Sequence, residues 1–176
     1  MKSMTKNILY IALFSSLFMW MMPKDKLYYQ LEHLVKREHI VIDGEEVSSK
    51  GFWLEVYRPS FYFRQTPIAE AEDANLFLFG LYNTVTMTNI TLGEAAETLL
   101  PSTIEHAGIT YSIFRPLTLF ATAKGDFGTA DIKIDLMERS LSIFAKPSKV
   151  MQMDYPNTLR RLTHQEEGVY SYETSF

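Results

Sequence analysis

Residues 117–147, LTLFATAKGDFGTADIKIDLMERSLSIFAKP, decide the fold. Leu117, Leu119, Ala121 and Ala123 recur at every second position, which places them on one face of a β-strand. Lys124-Gly125-Asp126-Phe127-Gly128 has the composition of a turn. Ile132, Ile134 and Leu136 then alternate with Lys133 and Asp135. A second turn at Glu138-Arg139-Ser140 leads into Leu141, Ile143 and Ala145, and Pro147, which has no N–H to give a ladder, ends the run. Reversals joining alternating strands predict an antiparallel up-and-down meander.

The same period extends towards the amino terminus. Ile109, Tyr111 and Ile113 share a face, and Thr84, Thr86 and Thr88 oppose Val85 and Met87. Residues 93–100, GEAAETLL, predict a helical interruption stopped by Pro101. Ser102-Thr103-Ile104-Glu105 has the letters of a capping box, but a strand is expected there. Residues 76–82, LFLFGLY, read as a strand apolar on both faces, and residues 68–73 alternate apolar with acidic. Phe61-Tyr62-Phe63 is a strand expected to last until Pro67, and Arg58-Pro59 separates it from Phe52, Leu54 and Val56, which face away from Trp53, Glu55 and Tyr57. Ile40 and Ile42 alternate with Val41 and Asp43, followed by a turn at Gly44-Glu45-Glu46. Near the carboxy terminus, residues 156–164 predict a short helix with Leu159 and Leu162 inward, then a last strand over 169–173. No repeat of 20–50 residues is evident.

The chain begins differently. Residues 8–22, ILYIALFSSLFMWMM, are uncharged, with Lys2 and Lys6 before them and Pro23-Lys24-Asp25-Lys26 after. As a helix this run is about 22 Å long against a hydrocarbon core of roughly 30 Å, so spanning needs Met4 and Thr5 as well, with Lys6 and Lys24 snorkelling. A cleaved signal peptide and a buried core helix are the competing readings. Phe18 to Pro23 offers no small-residue cleavage site, and Trp20 suits an interface, so an uncleaved anchor with its amino terminus inside is expected. Residues 25–38 follow with Leu27, Tyr28, Leu31, Leu34 and Val35 at helical spacing, opposite Lys26, Gln30, Glu32, Lys36 and Arg37. The division expected is a transmembrane anchor over 1–24, an amphipathic linker helix over 25–38 and a β-rich, periplasmic domain over 39–176. The fold class is mainly β: the two amino-terminal helices, then a curved antiparallel meander with one or two short helices.

Composition narrows the chemistry. A chain of 176 residues supports one ordinary domain with an appendage, and 22% charged residues with a net charge of −4 match neither a basic nucleic-acid binder nor an acidic disordered tail. With no cysteine there is no disulfide, thiolate-bound zinc or thiol nucleophile. His33, His39, His106 and His164 are scattered without metal-ligand spacing. Asp126-Phe127-Gly128 matches the kinase magnesium triplet only in letters, since no glycine-rich loop or catalytic-loop sequence accompanies it. Glu70 and Glu72 are expected on one solvated strand face with Asp73 nearby, short of the oxygen ligands calcium takes. There is no G-x-S-x-G, P-loop or G-x-G-x-x-G. No catalytic residue, metal ligand or cofactor is expected, and an enzyme is not.

Ala121-Thr122-Ala123-Lys124-Gly125-Asp126-Phe127-Gly128, then Ala130 to Leu136 and Arg139-Ser140-Leu141-Ser142-Ile143, resemble the turn glycine, strand and short hairpin return of the N component of type II secretion machinery and of AsmA-like envelope proteins. Glu167-Gly168-Val169-Tyr170-Ser171-Tyr172-Glu173 fits the same resemblance. It implies an inner-membrane-anchored, periplasmic assembly role without catalysis. A structural subunit of an envelope-spanning machine, a secretion system or flagellar motor scaffold, is therefore expected, with other envelope proteins and membrane lipids as partners and no nucleic acid. The residues expected to meet partners are Leu27, Tyr28 and Leu31 on the linker helix and Tyr170, Tyr172 and Phe176 at the carboxy terminus. The alternative is a lipid-binding or lipid-transfer module with Phe77, Phe79 and Leu81 lining an apolar groove.

Overall fold

The computed structural model describes residues 2–37, 39–43, 46–165 and 168–176. The apolar amino-terminal run forms α1 (Lys2–Met21) and the amphipathic segment forms α2 (Lys24–Arg37). Among the described residues no single helix is long and apolar enough to cross a membrane. A pair comprising residues 5–21 and 24–30, bent by 69°, passes that test by length and composition together.

After α2 the chain is an antiparallel meander. β1 (Ile40–Asp43) and β2 (Glu46–Lys50) run one way, and β3 (Trp53–Tyr57) and β4 (Ser60–Phe63) return along them, β3 on β2 and β4 on β1. β5 (Thr66–Glu70) and β6 (Asp73–Leu78) run back on β4 and β3, and the long β7 (Tyr82–Leu92) pairs first with β6 and then with β5. These tracks are interrupted at one level. Arg58 takes φ 51° before the buried Pro59, Ala71-Glu72 separates β5 from β6, and Asn89 takes φ 48° within β7. Backbone bonds lace the interruptions together: Arg58 N–H to Glu72 O at 2.9 Å, Ala71 N–H to Pro59 O at 3.0 Å and Glu72 N–H to Thr88 O at 3.2 Å. The result is a crease across the sheet, made where proline and left-handed residues break the ladder.

Beyond β7 the meander continues through β8 (Thr103–Ser112), β9 (Thr118–Gly125), β10 (Gly128–Asp135) and β11 (Ser140–Pro147), each paired with the next. The connection from β7 to β8 carries α3 (Glu94–Glu97); that from β11 carries α4 (Lys149–Asp154) and α5 (Pro156–Leu159). β12 (Thr163–His164) then pairs with β13 (Tyr170–Ser175), which lies on β11. The thirteen strands make one open antiparallel sheet.

The period-2 reading of residues 117–147 holds strand by strand, and four other expectations change. Residues 76–82 are not one strand: β6 ends at Leu78 and the chain reverses at Gly80, φ 83°, because an apolar turn resembles an apolar strand in sequence. Pro67 lies inside β5, paired with Tyr62 beside a register shift between Phe61 and Tyr62, an irregular position of the kind proline takes in a sheet. Glu70 and Glu72 share no strand, since β5 stops between them at the buried Ala71. α4 precedes the expected short helix, capped by Ser148, whose Oγ accepts from Met151 N–H at 3.1 Å. Of the turn expected at residues 44–46, only Glu46 is among the described residues, and it opens β2.

Alternation sorts the sheet into two faces. Val56, Ala74, Met87, Ala107, Ala123, Ala130, Ala145 and Tyr170 form one row across paired strands. Leu54, Leu76, Val85, Ile109, Ala121, Ile132, Ile143 and Tyr172 form the next row on the same face. Thr110, Thr122, Asp131, Lys133 and Ser142 fall on the other face. The apolar face is buried in two places. α2 sets Tyr28 against Leu54, Val56, Ala74 and Leu76. At the other end of the sheet Met151 of α4 and Leu159 of α5 pack with Phe127, Ile104, Ala123, Ala130 and Tyr170.

Candidate interaction surface

Between these two buried patches the apolar face is open. β8, β9, β10 and β11 each have a hydrogen-bonded neighbour on both edges, so any exposure of their apolar side chains arises at the face itself. Ile109 is 43% exposed, and Ile132, Ile143, Leu119 and Leu141 are only partly buried. Towards the β8–β9 and β10–β11 turns the face continues through Tyr111 and Ile134 to the exposed Ile113, Leu117 and Leu136. Four strands at about 4.8 Å and several rows along them give roughly 15 Å by 20 Å, on the order of 300 Å² in plan. An area of that order is what the largest apolar patch of an ordinary monomer exposes, and such a patch is often a functional one.

The expected carboxy-terminal contacts divide. Tyr172 pairs with Ile143, extends the apolar face and is 40% exposed. Tyr170 packs into the α4–α5 cluster and meets the His164 ring edge-on at 4.9 Å, so it is a core residue as much as a contact. Phe176 lies past β13, its N–H donating to Arg139 O at 2.9 Å and its side chain exposed. Among the described residues β12 pairs with Tyr170 and Ser171 of β13, and the outer edge of Tyr172 to Ser175 lies beyond that pairing. On α2, Tyr28 is buried under the sheet; Leu27 and Leu31 fall in the helix, but their side chains lie outside the described residues.

Phe77 and Phe79 occupy a different place from the open face. They join Phe52 and Trp53 in an aromatic cluster that receives the end of α1: Trp20 meets Phe52 edge-on at 5.3 Å, Phe52 meets Phe79 at 5.3 Å, and Trp53 meets Phe77 at 4.8 Å. Only glycine fits under this contact, since a Cβ on Gly51 would come within 2.9 Å of the Trp20 ring. Leu81 lies one residue past Gly80, half exposed beside α1. The buried Lys24 fixes the helix end, donating from Nζ to Met19 O at 2.7 Å and Met22 O at 3.2 Å. These carbonyls lack intrahelical donors at the end of α1, and a cation there also suits the helix dipole.

Asp126-Phe127-Gly128 is the β9–β10 turn, with Phe127 in the core. His33, His39, His106 and His164 are exposed and spread over α2, the start of β1, β8 and β12. Among the described residues no three histidine or carboxylate side chains converge as a metal site. Glu70, Glu94 and Glu97 line an open cleft between β5 and α3, together with backbone and small residues. The chain matches no protein-family model, no curated protein and no solved structure.

Proposed function

We propose that this chain is a membrane-tethered, non-catalytic assembly subunit of an envelope-spanning machine, with α1 in the inner membrane, the sheet on the periplasmic side and the open face of β8–β11 as its partner contact. The observation that carries this reading is the half-exposed apolar face, four strands wide, bounded by α2 on one side and α4–α5 on the other. A strip of that width suits the face of a partner helix pair or sheet, and the outer edge of β13 offers strand addition beside it. α1 supports the tether through its apolar sequence and the exposed Ile8, Leu9, Ile11, Leu13, Phe14, Leu17 and Phe18, the span being completed in length only together with the start of α2. The resemblance of residues 121–143 to type II secretion N components points the same way.

One observation favours the alternative of lipid binding. The open face runs to Ile113, Leu117 and Leu136, at the end of the sheet where α1 joins, so an alkyl chain leaving the bilayer there would meet apolar surface at once. Of the groove expected at Phe77, Phe79 and Leu81, Phe79 and Leu81 line a crevice of about 490 Å³ against α1, with Phe77 stacked behind on Phe79.

Native mass spectrometry of the full-length protein, extracted from its own membranes in mild detergent, separates the two. The assembly reading expects a complex of fixed stoichiometry that Ile109→Lys disrupts and Thr110→Lys, on the other face, preserves. A monomer with defined lipid adducts transfers the face to the lipid reading. A bare monomer lacking the first twenty or so residues contradicts the tether.

A further inference from the structure

An up-and-down meander delivers its turns alternately to two ends. The end away from α1 carries residues 64–65, 93–102 and 125–128 and the α4–α5 connection, where Arg64, Glu94, Glu97, Asp126 and Arg160 are exposed together with Leu99, Val150 and Met153. The end at α1 carries residues 79–81, 113–117 and 136–139 and the carboxy terminus. Backbone bonds stitch this end into one rim: Ile113 N–H to Leu81 O at 2.8 Å, Leu136 N–H to Leu117 O at 2.8 Å and Phe176 N–H to Arg139 O at 2.9 Å. Its tips are large, apolar and open, with Phe114 89% exposed, Met137 75% and Phe176 64%.

Resting on the reading of α1 as an anchor, we infer that this rim lies in the interface of the bilayer that holds α1, with Phe114, Met137 and Phe176 inserted among the lipids. The position of α1 carries the inference. Met19 packs on Gly80, and Ala12, Ser15 and Ser16 line a crevice with Phe79 and Leu81, so the β6–β7 turn stands alongside the helix and not beyond its end. Ala12 is nine residues before Met21, about 13 Å along a helix, so lipid around α1 also surrounds that turn. The other tips share its level through the stitched rim. Aromatic and methionine side chains at loop tips suit the boundary of headgroups and acyl chains. Arg115 and Arg139 bring cations to the same end, and the nearby Asp135 carboxylate is engaged by the N–H groups of Met137 and Glu138 at 3.1 and 3.2 Å. The sheet then stands with its strands leading away from the membrane and its open face side-on to neighbours.

The chain has no cysteine, so single-cysteine variants of the full-length protein each take one environment-sensitive fluorophore. Leu13→Cys, Phe114→Cys, Met137→Cys and Asp126→Cys, the last at the far end, are reconstituted into vesicles of phosphatidylethanolamine and phosphatidylglycerol, with unchanged circular dichroism as the folding control. The expected result is blue-shifted emission at positions 13, 114 and 137, quenched by spin-labelled lipid and spared by aqueous iodide, with the reverse at 126. If 114 and 137 behave as 126 does while 13 is lipid-quenched, the rim stands clear of the membrane and the inference fails with the anchor intact. If 114 and 137 are shielded from both quenchers, protein covers the rim and the inference also fails. If 13 itself is iodide-quenched, the anchor reading falls and takes this one with it.

Discussion

Leu54 is fully buried beneath Tyr28, whereas Phe114 protrudes from the rim at the other extreme of exposure. Leu54→Ala removes a packed side chain and is expected to lower the unfolding free energy by about 2–5 kcal/mol. Phe114→Ala is expected to change it by less than about 0.5 kcal/mol, because the ring packs on little of its own chain. Chemical denaturation of both variants in the same detergent checks the contrast. Asp135 makes a pH prediction: the Glu138 N–H that donates to its carboxylate, helped by Lys133 at 3.4 Å, holds it below the ordinary aspartate range. A carboxyl whose value is lower folded than unfolded adds stability above its unfolded value, and that addition is lost as pH falls through the folded value. The stability of Asp135→Asn should therefore fall less steeply than wild type on acidification through and below the ordinary aspartate range. Parallel slopes would remove Asp135 from the account.

At the scale of elements, the joint between α1 and α2 depends on one side chain. Lys24→Met keeps the apolar stem but leaves the carbonyls of Met19 and Met22 without their cation, at a cost of about 1–3 kcal/mol. It should loosen Trp20 from Phe52, read as a change in tryptophan emission; an unchanged spectrum would mean the aromatic cluster alone sets the joint. The two tyrosines of β13 separate packing from contact. Tyr170→Asp places a charge in the α4–α5 cluster and should lower the melting temperature, while Tyr172→Asp should leave the fold intact and weaken assembly. Much of this level was legible in the sequence: period 2 located β9, β10 and β11, and Pro101 and Pro147 end runs near where the structure ends them. The reversal at Gly80 was hidden because Phe79 and Leu81 are as apolar as the strands beside them. α4 was hidden because Met151 is its one buried residue, too little for a helical stripe.

For the whole molecule, alternation announces an apolar face but not what covers it, since that depends on contacts distant in sequence. Tyr28 reaches Leu54 and Leu76, and Leu159 reaches Phe127, across the meander; between them Ile109 and its neighbours receive no such cover from the described residues. The open strip, the outer edge of β13 and the apolar rim beside α1 are the surfaces on which the proposed tether and partner contact rest. Site-specific photo-crosslinking in the native membrane tests this most directly, with a benzoylphenylalanine replacing Ile109 on the open face and, separately, Thr110 on the opposite one. The account predicts a discrete protein adduct of reproducible mass from position 109, absent from 110 and diminished by Tyr172→Asp. Equal adducts from both positions, or lipid adducts alone from 109, would contradict it.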